Sequence, residues 1–221
     1  MYKALLFDLD GVIVETAHFH YQAWRRLANE KLGFDISAEF NETLKGVSRT
    51  DSLDLILKHG NKSLDQATKT EYATLKNDWY LKLASQMTAT EILPGITDFF
   101  KQIKATNLKI GLGSVSKNAK MILGAVGMLA DFDAIIDGTC ISKGKPDPEV
   151  FLKGAEALGV LPSECIVFED AVAGVEAGKR AGMKVVGIGQ PTILTQADVV
   201  FKDLTEVKLS SLLNSLSTID K

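Results

Sequence analysis

The sequence predicts an α/β fold: a doubly wound, Rossmann-like parallel sheet with a helical domain inserted after its first strand. Three observations carry this. Ala4–Phe7 is an unbroken apolar run that stops at Asp8-Leu9-Asp10-Gly11, as expected of a strand covered on both faces of a parallel sheet. From Leu93 onward, short apolar runs alternate with helical spacing, the mark of repeated βαβ units. Between them, from about Glu15 to Ala84, no strand pattern stands out. The expected division is an α/β core of residues 1–14 and 88–221 and a helical domain of residues 15–87.

Taken in order, the first strand is followed by Ala17, His20, Trp24, Leu27, Ala28 and Lys31 at spacings of three or four. This predicts a helix over 17–32, with Thr16 as its N-cap and Gly33 as its stop. On spacing alone, His20 reads as a histidine at the margin of an apolar stripe. Lys45-Gly46-Val47-Ser48-Arg49 then gathers two cations, a glycine and a hydroxyl just ahead of a helix over 51–59. Such a group can grip a phosphate, although a solvated turn would read the same. Residues 63–83 read as helical, with Lys76-Asn77-Asp78 as a polar interruption.

The second half opens with a helix over 96–105. A strand over 109–113 runs into Ser114-Val115-Ser116-Lys117-Asn118, and a helix over 119–126 and a strand over 134–136 follow. Lys143-Gly144-Lys145-Pro146-Asp147-Pro148 precedes a helix over 149–158, with Asp147 and Pro148 placed as N-cap and first helical residue. The apolar run 165–168 ends in Glu169-Asp170. A helix over 172–181 and strands over 184–188 and 199–201 complete the pattern.

Composition narrows the function classes. The 221 residues, 46% hydrophobic and 24% charged, suit a chain that buries a real core. A net charge of −3 supplies no basic field for nucleic acid. No apolar run approaches the ~20 residues that span a bilayer, and Met1-Tyr2-Lys3 leads straight into a strand, so a cytoplasmic protein without a membrane partner is expected. Cys140 and Cys165 stand far apart without metal-site spacing and are expected to be buried free thiols. The glycine pairs Gly111/Gly113 and Gly187/Gly189 lack the rest of a dinucleotide fingerprint. No exposed apolar stripe marks a dimer seam, and a monomer is expected.

If the sheet is parallel, polar groups from three strand ends meet at one edge: Asp8 and Asp10, Ser114, and Glu169 with Asp170, beside Lys145. Four carboxylates so placed cannot all ionise without compensation, and a hard cation with oxygen ligands, Mg²⁺, is the usual solution. Lysine and serine beside a metal call for an anion, and phosphate suits them because phosphoryl transfer rests on positioning and charge. Singly, each piece also has an ordinary role, as a turn former, a helix cap or a surface charge. Their conjunction points to chemistry.

DLDGV at Asp8–Val12, Ser114 after an apolar strand, Lys145-Pro146-Asp147-Pro148, and Glu169-Asp170 resemble, in order, the four motifs of the haloacid dehalogenase superfamily, over essentially the whole chain. The helical insert resembles that superfamily's cap domain. His20, Trp24, Lys45–Arg49, Lys76 and Ser116–Asn118 further resemble its sugar-phosphate mutases. The resemblance implies Asp8 as the nucleophile that becomes an aspartyl phosphate and Asp10 as the general acid and base. It implies Mg²⁺ held by Asp8, the Asp10 carbonyl, Glu169 and Asp170, and a transferring phosphoryl group held by Ser114, the Val115 N–H and Lys145. A second phosphate would fall to Arg49, Ser116, Lys117 and Asn118, and the sugar to Trp24, Gly46, Val47, Ser52 and Lys76, with Lys45 and Ser48 also among the substrate-binding residues. His20 would orient Asp10.

The activity so implied interconverts β-D-glucose 1-phosphate and glucose 6-phosphate through a bound glucose 1,6-bisphosphate. A sugar-phosphate phosphatase is the alternative enzyme, and a non-catalytic sugar-phosphate sensor the alternative of another class. The intact acids argue for an enzyme, and Asp10 argues against a dehalogenase. Two departures stand out: Glu15 where the family usually has Asp, and Gly113 and Val115 flanking Ser114 where residues such as Ala are common.

Overall fold

The computed structural model describes residues 1–44, 47–205 and 207–218. Among them, six parallel strands form one sheet: β1 (Ala4–Phe7), β2 (Lys109–Gly113), β3 (Ala134–Ile136), β4 (Cys165–Glu169), β5 (Lys184–Ile188) and β6 (Val199–Phe201). Their order is β3-β2-β1-β4-β5-β6, the doubly wound arrangement that the alternating pattern predicts. Phe7 at the end of β1 registers with Leu112 of β2 and Phe168 of β4, so Asp8 follows directly from the middle of the sheet.

The alternation of side chains along β1 splits the core in two. Leu5 and Phe7 face one cluster with Phe99, Phe100 and Ile103 of α5 (Ile96–Lys104) and Leu209, Leu212 and Leu216 of the C-terminal helix (Leu209–Thr218). Ala4 and Leu6 face the other, with Val150, Phe151 and Leu158 of a helix at Glu149–Leu158 and Val175 of a helix at Val172–Arg180. The Phe7 ring stacks on Phe168 at 4.5 Å and lies 5.0 Å from Phe100. Burying such a ring contributes about 1.5–3 kcal/mol, which anchors the strand that carries the first aspartates.

Between β1 and β2 lie α1 (Ala17–Leu27), α2 (Ala38–Glu42), α3 (Arg49–His59) and α4 (Gln66–Ala84). They share a separate apolar cluster of Trp24, Leu27, Leu32, Ile36, Leu53, Ile56, Leu57 and Ala73. The helix predicted over 17–32 is α-helical to Leu27, continues as a π turn over Ala28–Leu32 and stops at Gly33, whose φ of 78° is left-handed. α3 starts two residues earlier than predicted because Ser48 caps it, its Oγ accepting from the Asp51 N–H. α4 runs unbroken through Lys76-Asn77-Asp78, so the polar triplet is no interruption. α2 and the C-terminal helix are additional to the predicted elements. The helix expected at 149–158 has Pro148 in the N-cap position, with Asp147 Oδ1 accepting from the Glu149 N–H at 3.0 Å. Cys165 is buried as expected, whereas Cys140 is only half-buried. No helix among the described residues is long and apolar enough to cross a membrane.

Candidate active site

In this strand order the chain reverses direction between β1 and β4, and the crevice beyond their carboxyl ends is where such sheets bind ligands. Asp8 leaves β1, Ser114 leaves β2, and Glu169 ends β4 with Asp170 after it. Two glycines make room. Gly11 has a φ of 81°, and a Cβ there would overlap the Asp170 carboxylate. A Cβ at Gly174, in the first turn of the helix after β4, would overlap the Glu169 carboxylate. Glu169 Oε2 accepts from the backbone N–H groups of Asp170 at 3.0 Å and Ala171 at 3.1 Å.

The floor of the site is an ionic cluster inside the protein. Lys145 Nζ donates to Asp8 Oδ1 and to Glu169 Oε1, each at 2.5 Å, and both pairs are nearly sealed from solvent. Burial alone would depress the Lys145 ammonium, but Asp8 and Glu169 outweigh it and hold the group above the usual lysine range. Burial pushes Glu169 up to about 6, with Lys145 opposing and Asp8 adding to the rise. Asp10 is pushed up to about 7, first by desolvation and then by repulsion from Asp8, a value suited to a group that both gives and takes protons near neutrality.

Carboxylate oxygens of Asp8, Glu169 and Asp170 lie within 4.8 Å of one another. That all-oxygen set fits a small hard cation such as Mg²⁺. The Asp10 carboxylate stands outside this cluster and accepts from the Thr16 hydroxyl, so any part Asp10 takes in a metal site falls to its backbone carbonyl.

The roof is different in kind. Lys76 of α4 is 2% exposed, and its Nζ donates to His20 Nδ1 at 2.7 Å, over the Trp24 ring at 4.6 Å. Burial holds Lys76 well below the usual lysine range, Arg49 adds repulsion and Asp10 opposes. Burial likewise holds His20 well below the usual histidine range, and Lys76 and Arg49 add to it. The imidazole is therefore neutral, with Nδ1 accepting. Arg49 opens α3, half-buried and lowered by that burial.

Floor and roof enclose a cleft of about 500 Å³. Of the residues the sequence singles out, Asp8, Asp10, His20, Val47, Ser48, Arg49, Ser52 and Lys76 border it, as do Ser114–Asn118 and Asp170. Lys145 and Glu169 form the floor behind Asp8 without bordering the cleft, bonded as described. Trp24 does not border it either: it is 2% exposed, belongs to the apolar cluster of the helices and backs Lys76. Lys45 and Gly46 lie outside the described residues.

Three contacts escape the sequence reading. Thr16, expected as a helix cap, makes no cap bond and gives its hydroxyl to Asp10, while Glu15 Oε1 accepts from the Ala17 N–H at 2.8 Å. Asn77 Oδ1 accepts from Asn118 Nδ2 at 2.9 Å. The only sequence signal for Asn77 is its place beside Lys76.

A model of the haloacid dehalogenase-like hydrolases matches residues 2–182. The chain is 43% identical over 212 residues to the beta-phosphoglucomutase of Bacillus subtilis (strain 168), covering 95% of this chain and 93% of the relative. It is 34% identical over 218 residues to a validoxylamine A 7'-phosphate phosphatase of Streptomyces hygroscopicus subsp. limoneus, covering 94% and 97%. Among solved structures, the beta-phosphoglucomutase of Clostridium difficile superposes with a TM-score of 0.96 at 43% identity, over 100% of both chains.

Proposed function

The chain belongs to the haloacid dehalogenase-like hydrolases, and from that premise we propose that it is a Mg²⁺-dependent phosphomutase interconverting β-D-glucose 1-phosphate and glucose 6-phosphate. One observation carries the reading beyond its family. Cationic or hydroxyl groups stand at two places: at Asp8, where Ser114 borders the cleft and Lys145 bonds Asp8 from beneath, and on α3 and the loop after β2, where Arg49, Ser116 and Lys117 border it. Two such places suit a sugar carrying two phosphates.

In this reading Asp8 attacks a phosphorus of glucose 1,6-bisphosphate. The bond from phosphorus to the sugar oxygen breaks, and Asp10 delivers its proton to that oxygen. The monophosphate then presents its other hydroxyl, Asp10 removes that proton, and the oxygen takes the phosphoryl group back from Asp8. Lys145 and Ser114 hold the equatorial oxygens during both transfers. His20 and Thr16 set where the Asp10 carboxylate points. Arg49, Ser48, Ser116, Lys117 and Asn118 grip the phosphate that is not being transferred, while Val47, Ser52 and Lys76 border the sugar. Asp8, Glu169, Asp170 and the Asp10 carbonyl would hold Mg²⁺, which when bound offsets the negative charge gathered on nucleophile and phosphoryl group. Residues 15–87 act as a cap that excludes water, in a monomeric, cytoplasmic protein whose partners are small sugar phosphates.

A phosphatase is the second reading, favoured by the validoxylamine A 7'-phosphate phosphatase among the relatives. ³¹P NMR of the protein with β-glucose 1-phosphate, Mg²⁺ and a trace of the bisphosphate separates the two. Glucose 6-phosphate is the expected product. Inorganic phosphate as the main product would replace the mutase with the phosphatase.

A further inference from the structure

Asn118 occupies the N-cap position of a helix at Ala119–Ala125, yet its side chain makes no cap hydrogen bond. Asparagine at that position ordinarily satisfies a free N–H of the first turn. Here the side chain turns away, and its Nδ2 donates to Asn77 Oδ1 on α4 at 2.9 Å. The loop that ends in Asn118 is otherwise held within the core domain, where the Gly138 N–H donates to the Ser116 carbonyl at 3.1 Å. The Ser116 N–H donates to Ser114 Oγ at 3.1 Å, and the Asn118 N–H to Ser116 Oγ at 3.3 Å. The Asn118 amide is thus the part of this loop whose orientation is set from α4.

On the other side of the contact, Thr70, Ala73, Thr74 and Asn77 recur on one face of α4 and border the same cleft as the loop. Lys76, the neighbour of Asn77, reaches instead to His20. One helix therefore touches both the residue proposed to orient the acid/base and the loop proposed to hold the non-transferring phosphate. The sequence reading treats Asn77 only as part of a polar break.

We propose that Asn77 is a positioning residue, which by fixing the Asn118 amide ties α4 to the phosphate-gripping loop and so makes occupancy of that loop depend on the helix lying over the cleft. The inference rests on the proposed function, because it takes Asn118 to contact the sugar's second phosphate. Asn77 itself need not touch the substrate.

A double-mutant cycle tests this. Glucose 6-phosphate affinity is measured by titration calorimetry, in Mg²⁺, for the wild type, Asn77→Ala, Asn118→Ala and the double variant. Asn77→Ala is expected to weaken binding about 3- to 10-fold, the range of one neutral hydrogen bond. In the Asn118→Ala background the same substitution is expected to change nothing. A residue that only shapes the helix would weaken binding equally in both backgrounds. That result, or no weakening by Asn77→Ala in the wild type, overturns the proposal. A wild type that fails to bind glucose 6-phosphate overturns the functional reading, and with it the inference.

Discussion

The floor and the roof of the cleft both bury a lysine, and they do so in opposite ways. Lys145 is buried against two carboxylates, which raise its pKa and satisfy its charge in place. Lys76 is buried beside a neutral imidazole and aromatic rings, with no carboxylate among the described residues bonded to it, and burial together with repulsion from Arg49 depresses it. The floor is electrostatically compensated and is carried on strand ends, so its geometry persists without a ligand. The roof is short of negative charge and is carried on helices. A bound anion is what would complete it, and in the proposed function substrate recognition falls to the helices and bond making to the sheet.

The sharpest break of this contrast deletes each lysine in turn. Lys145→Ala leaves Asp8 and Glu169 facing each other in a sealed site, and about 3–5 kcal/mol of stability should be lost, seen as a fall of roughly 10 °C in the thermal midpoint. Lys76→Met removes a buried amine whose charged form burial and Arg49 disfavour, and keeps the side-chain volume. The midpoint should hold or rise, while sugar-phosphate turnover falls. Equal destabilisation by the two substitutions would erase the distinction between floor and roof.

Protons and metal give a smaller effect on the floor alone. Asp10 and Glu169 are raised to about 7 and about 6, so between about pH 4 and pH 7 the folded chain binds more protons than the unfolded one. Without metal, these two groups favour folding at the acid end of that window, and their contribution is lost as the pH rises through it. Mg²⁺ needs Glu169 deprotonated, so its stabilisation grows over the same window. Thermal unfolding with and without saturating Mg²⁺ should show an increment on the order of 5 °C at pH 7.5 and a smaller one at pH 5. An increment that is equal at both pH values would remove Glu169 from the metal site.

The same contrast explains what the sequence discloses. Floor residues are legible because each stands where an apolar run stops: Asp8 after Phe7, Ser114 after Gly113, and Glu169 after Phe168. A parallel sheet converts those separate stops into one place, so period and topology suffice. Roof residues come from helices, where spacing names a face and leaves open whether it turns to the cleft or to the helices' own core. Trp24 is expected at the sugar and packs instead into that core. Thr16 has the right identity for a cap, but an acceptor six residues back takes its hydroxyl. Asn77 finds a partner 41 positions away, a pairing that local propensity does not see. The C-terminal helix was open to reading, since Leu209, Leu212 and Leu216 recur at helical spacing and are buried.

The division of labour is tested most directly by the fate of the phosphoryl group once it is on Asp8. Aspartyl phosphate formed from the bisphosphate is chased with β-glucose 1-phosphate, and rapid quench separates transfer to the sugar from release as inorganic phosphate, in the wild type and in Arg49→Ala. The account predicts that Arg49→Ala slows transfer to the sugar by roughly 10- to 100-fold, the worth of a charge-assisted contact, and leaves hydrolysis nearly unchanged. Equal losses in both reactions would contradict it.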